Sequence, residues 1–120
     1  MENLIRLLNE ELRKITSESF HAVNRKQEVI YPYLTYDFDA VSLEDDIDGF
    51  YLDLDIFDNN PNYMNIIRLE DKLKQQLKGI KKLTDELHVR FYYQGSNKIA
   101  TLDDQIKRRQ SVYRLRVFYK

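Results

Sequence analysis

Four stretches of this chain alternate strictly between apolar and polar side chains, and no other feature restricts its fold as much. In residues 33–41 the apolar positions are Leu34, Tyr36 and Phe38, set against Thr35, Asp37 and Asp39. Residues 50–57 oppose Leu52, Leu54 and Ile56 to Asp53 and Asp55. Residues 87–94 oppose Val89, Phe91 and Tyr93 to His88, Arg90 and Tyr92, and residues 111–119 oppose Leu115, Val117 and Tyr119 to Arg114 and Arg116. A period of two marks strands with one buried and one solvated face. The prediction is a sheet with an apolar side and a charged side, acidic in its first two strands and basic in its last two. Charges on a flat sheet face, with no catalytic cluster beside them, point to docking rather than chemistry.

Two amphipathic helices complete the pattern. Residues 3–16 carry Leu4, Ile5, Leu8, Leu12 and Ile15 on one stripe, with Asn3 as N-cap. Asp58-Asn59-Asn60-Pro61 ends the second strand and opens a second helix, with Asn60 as N-cap and Pro61 as its first residue. That helix places Ile66, Leu69, Leu73 and Leu77 on one face, flanked by Met64 and Ile67. It ends at Gly79 in the C′ position, where Lys74 and Lys78 suit the dipole. Residues 17–31 read as an ordered loop with one short strand, and Pro32 sets the entry to the first clear strand. Residues 44–49 read as an acidic turn, 81–86 as a linker, 95–97 as a strand break and 98–110 as a long charged connection. The expected fold is α+β, in the order α-β-β-α-β-β: an antiparallel or mixed sheet of about four main strands with both helices on one face. The α-β-β unit recurs without residue-level similarity between the halves.

The chain has 120 residues, 42% hydrophobic and 32% charged. A single domain over 1–120 is expected, since a chain of this size buries roughly two-thirds of its unfolded surface. With no cysteine, a disulfide scaffold, a thiol nucleophile and thiolate metal sites are excluded. The formal net charge of −1 gives no electrostatic case for a nucleic-acid or acidic-lipid binder. Residues 37–58 are nonetheless acidic and 107–120 basic. No apolar run approaches the ~20 residues of a membrane span, and the N-terminus lacks a signal-peptide layout. A soluble protein is expected.

Asp53 and Asp55, with Asp58 nearby, are the most enzyme-like feature. Carboxylates two apart on a strand share a face and can hold a divalent cation, as in nucleases. The other reading is a solvated face whose aspartates meet Arg90, Arg114 or Arg116 across strands. His21 and His88 have no second ligand at metal spacing, and none of the serines has a nucleophile-elbow context. Lys107-Arg108-Arg109, followed by Tyr113, Arg114 and Arg116, fits either a nucleic-acid patch or a basic loop meeting an acidic surface on a neighbouring subunit. Nine tyrosines and six phenylalanines exceed what a small core needs, and Tyr51 and Phe57 fall on the charged face, where exposed aromatics suit a protein–protein surface.

Taken together, the N-terminal helix, YPYLTYDFD at 31–39, FYLDLDIFDNN at 50–60 and DDQIKRRQSVYRLRVFYK at 103–120 resemble the small tail-component proteins of long-tailed phages and prophages, of the tail terminator (tail completion, head–tail joining) type. The resemblance spans residues 3–120. It implies a ring of six copies on the last ring of the tail tube, contacting the tube protein and the head connector or completion protein, with DNA passing through the centre. It implies no catalysis, no cofactor and no membrane, and a place in the virion after synthesis in the bacterial cytoplasm. A ring needs a heterologous interface, for which Asp37, Asp39, Tyr51, Asp53, Asp55, Phe57, Lys107, Arg108, Arg109, Arg114 and Arg116 are the candidate residues. Reversing Arg108 and Arg109 to glutamate is expected to weaken assembly and leave the monomer folded. Three alternatives remain at this point: a head-completion or connector protein, a metal-dependent nuclease or nucleic-acid-binding module using Asp53, Asp55 and the basic C-terminal strand, and a generic α+β interaction domain.

Overall fold

A computed structural model describes residues 2–44, 47–77, 81–83 and 87–119. The order is α1 (Glu2–Ile15), β1 (Ser19–His21), β2 (Tyr33–Glu44), β3 (Ile47–Asp58), α2 (Met64–Leu77), β4 (Lys81–Leu83), β5 (Leu87–Ile99) and β6 (Lys107–Tyr119). The strands form one six-stranded sheet in the order β1-β2-β3-β6-β5-β4. All neighbours are antiparallel except β1 and β2, so the sheet is mixed. Each half of the chain is a helix, a short edge strand and two long strands, and the halves join through β3 and β6. Strands of 12 or 13 residues reach about 40 Å at ~3.4 Å per residue, which sets the 46 Å long axis of the molecule.

Period-two alternation sends Leu34, Tyr36, Leu52, Leu54, Ile56, Val89, Phe91, Leu115 and Val117 to one side, where all are buried. Both helices cover that side. From α1 come Leu4, Leu7, Leu8 and Leu12, and from α2 come Ile66, Leu69, Leu73 and Leu77. Full burial of a side chain of this size stabilises by about 1.5–3 kcal/mol. Leu7, not Ile5, completes the α1 stripe; Ile5 is only half-buried. Neighbours meet carbonyls at the C-terminal end of α1: Ser19 Oγ donates to Leu12 O at 3.3 Å, and Lys72 Nζ on α2 donates to Ile15 O at 3.3 Å.

Several boundaries differ from the sequence expectation. The short strand in 17–31 is β1, which carries His21 and runs parallel to β2. α2 begins at Met64 rather than Pro61: Asn60 closes a turn onto the Asn62 N–H, and Asn62 Oδ1 accepts from the Met64 N–H. Part of the expected 81–86 linker is the edge strand β4. Gly79 and Lys78 lie outside the described residues, as do residues 45–46 of the acidic turn and the side chain of Tyr119.

The largest correction concerns 95–110. Gly95 does not end its strand; the ladder shifts register between Tyr93 and Gly95, so Gln94 is the extra residue of a bulge. Gly95 adopts φ 151°, a conformation open to glycine and strained for other residues. The bulge resets the alternation, turning Ser96 toward the helices. The long connection therefore shrinks to 100–106, and Lys107, Arg108 and Arg109 are strand residues paired with β3. The two flanking sequences lack the apolar alternation of a half-buried strand because they extend past the end of the core.

Candidate functional site

The side of the sheet away from the helices is uncovered by any described element, and its side chains form rows across β2, β3, β6 and β5. At one end Tyr33 and Phe57 stack with ring centres 4.8 Å apart, and the Arg108 guanidinium lies 5.3 Å from the Phe57 ring. Arg108 Nε also donates to Asp55 Oδ1 at 2.9 Å, and its Nη2 lies 2.9 Å from the same oxygen in an ion pair. Gln110 Nε2 approaches both Asp55 oxygens at 3.4 Å. The Asp55 side chain is only 13% exposed, so this end is internally neutralised.

The middle of the face is not. Asp37 stands opposite Asp53, and Asp39 is one row further along. Asp37 Oδ1 accepts the Phe38 N–H at 2.9 Å and lies 3.8 Å from His21 Nε2. No lysine or arginine pairs with Asp37, Asp39 or Asp53 among the described residues. Burial raises the Asp53 carboxyl above its ordinary value, and Asp55, Asp39 and Asp37 raise it further. Across the β3–β6 seam the sign reverses. Arg90 stands opposite Arg116, and Arg114 shares a row with Tyr51 and Asp39. None of these arginines has a carboxylate partner among the described residues, and the buried Nε atoms of Arg90 and Arg116 have no acceptor. The Arg116 guanidinium sits 6.0 Å from the Phe118 ring. Tyr51 and Tyr92, 45% and 40% exposed, flank Arg114.

Among the described residues, the expected cross-strand pairing of aspartates with Arg90, Arg114 or Arg116 is thus replaced by the single pair Asp55–Arg108. The candidate residues also divide between two sides of the sheet. Asp37, Asp39, Tyr51, Asp53, Asp55, Phe57, Arg108, Arg114 and Arg116 share the open face. Lys107 and Arg109 lie on the helix side. Lys107 Nζ is 5.6 Å from the Tyr63 ring. Arg109 Nε donates to Glu70 Oε1 on α2 at 2.7 Å, and Ser111 and Ser96 donate to Glu70 Oε2. Reversing Arg108 and Arg109 therefore breaks two ion pairs within the monomer, Arg108–Asp55 and Arg109–Glu70. Arg90 belongs with the basic group; its place in the alternation was visible in sequence, but its apposition to Arg116 needed the register.

Asp53 and Asp55 do share a face of β3, but Asp55 is engaged by Arg108 and Gln110. Among the described residues no group of three or more His, Cys, Asp or Glu side chains could hold a metal ion. No helix among them is long and apolar enough to cross a membrane.

The architecture is thus α+β, a mixed sheet with helices on one side only. A solved chain from the virion of a native gene transfer agent particle has the same fold, with a TM-score of 0.69 over 90% of this chain and 84% of that one. Sequence identity is 11%, so the likeness is one of fold. No protein family and no curated protein matches the sequence.

Proposed function

We propose that the protein is a non-enzymatic structural component of a phage or phage-derived virion, of the tail terminator type. In this reading it closes as a ring on the last ring of the tail tube, stops tube growth and joins the tube to the head connector. The observation that supports this most is the fold shared with a virion chain over nearly the whole length of both chains. The resemblance of 31–39, 50–60 and 103–120 to tail-completion proteins favours the tail end of the assembly. The exposed charges and tyrosines of the open face suit docking, whereas the Asp55 carboxylate a nuclease would require is neutralised by Arg108.

Deleting the gene from the element that encodes it, inducing particles and imaging them tests the reading. Tails that overgrow and fail to join filled heads are expected. Tails of normal length beside heads that leak DNA would move the protein to the head-completion position. Intact particles would remove the virion reading altogether.

A further inference from the structure

The open face carries an arrangement that a solvated surface has no reason to keep. Like charges directly opposite one another in a ladder are destabilising, yet Asp37 faces Asp53 in one half and Arg90 faces Arg116 in the other. The two groups lie on either side of the β3–β6 seam and make no ion pair with one another among the described residues. Each group needs opposite charge from outside, and the face itself holds both signs.

We infer that a second copy of this chain docks on this face, sheet against sheet, about a two-fold axis running along the β3–β6 seam. Rotation about that axis lays β2 and β3 of each copy over β5 and β6 of the other. Arg114 then lies one row of about 7 Å from Asp53 of the other copy, and Arg90 one row from its Asp39, offsets that arginine side chains span. Tyr51 of one copy lands over Arg114 of the other, a cation–π contact. Asp53 and Arg90, one member of each like-charged pair, thus gain an opposite charge from the other copy.

Size agrees with this. Four strands about 4.8 Å apart and about 40 Å long present roughly 800 Å², the area each partner contributes to a standard stable interface. Aligned packing of two such faces is an ordinary way to join sheets. The contact is isologous and yields a closed pair. It goes beyond the proposed ring, whose contacts pass from side to side of neighbouring copies.

The test is the mass of the full chain by sedimentation over a concentration series, at low ionic strength and at about 1 M salt, where screening falls to ~3 Å. A dimer that dissociates in high salt is expected. Asp39→Arg/Asp53→Arg and Arg114→Glu/Arg116→Glu should each weaken dimerisation at least about tenfold, and mixing the two variants should restore a dimer. If either double variant fails to fold by circular dichroism, the single exposed changes Asp39→Arg and Arg114→Glu serve instead. A wild-type monomer at every concentration would overturn the inference, as would variants that keep the wild-type mass. Restoration of a six-copy species instead of a dimer would also overturn it while supporting the ring; loss of the ring reading would leave a salt-sensitive dimer untouched.

Discussion

Asp37 and Asp53 stand directly opposite each other across β2 and β3, on a face where no lysine or arginine among the described residues reaches either one. The repulsion appears in the raised pKa of Asp53, which comes first from burial and then from Asp55, Asp39 and Asp37. A carboxyl whose pKa is raised on folding contributes stability that is fully present below its unfolded pKa. That contribution is lost as pH rises through the folded value. Asp53→Asn should therefore raise the melting temperature at pH 7 by about 1–3 °C, a fraction of a kcal/mol after solvent screening. The gain should vanish near pH 3, where both side chains are neutral. Thermal melts of both proteins across that range check it, and an equal gain at pH 3 would refute the electrostatic cause.

Glu70 clamps α2 to the sheet by accepting from Arg109, Ser96 and Ser111. Its side chain is 10% exposed and that of Arg109 20%. Glu70→Ala leaves a largely buried guanidinium and two hydroxyls without their acceptor, at a cost of about 2–4 kcal/mol. Urea unfolding should show the loss, and Glu70→Gln should recover part of it.

The Tyr113 hydroxyl is buried without a partner among the described residues. Burial, then Tyr93 and Glu70, push its pKa well above the ordinary value. Tyr113→Phe should stabilise the protein at neutral pH by about 1 kcal/mol. Because the folded pKa is raised, the wild type loses stability as pH climbs past 10. The phenylalanine variant should lose less, although Tyr33 and Tyr36, raised chiefly by burial as well, remain. Denaturant midpoints at neutral and alkaline pH would measure both effects.

At the β5 bulge, no described residue other than the chain neighbours lies within 4 Å of where a Gly95 Cβ would sit, so its φ of 151° decides the effect of substitution. Gly95→Ala should cost about 1–2 kcal/mol through backbone strain alone. Faster amide exchange around Ser96 should accompany the loss, since the bulge aims Ser96 at Glu70. Unchanged stability would show that the bulge relaxes without its glycine.

The alternation and the helical stripes determined the α+β class, the core face of each long strand and the apolar residues of α2. These are local periodicities, and burial of a repeating apolar side is too favourable for the long elements to adopt another face. Where apolar repetition thins out, at the strand extensions beyond the core and at the edge strands β1 and β4, single-residue patterns carry no such signal. Tertiary structure decided the rest. Gln94 and Gly95 read as a strand stop until the β5–β6 ladder places a bulge there. Arg108 and Arg109, adjacent in sequence, serve opposite sides of the sheet, one for Asp55 and one for Glu70. The sorting of charge into acidic and basic strands was legible from residues 33–57 and 87–119. Which charges are neutralised within the monomer depends on register, and register brings together residues as distant as Asp55 and Arg108.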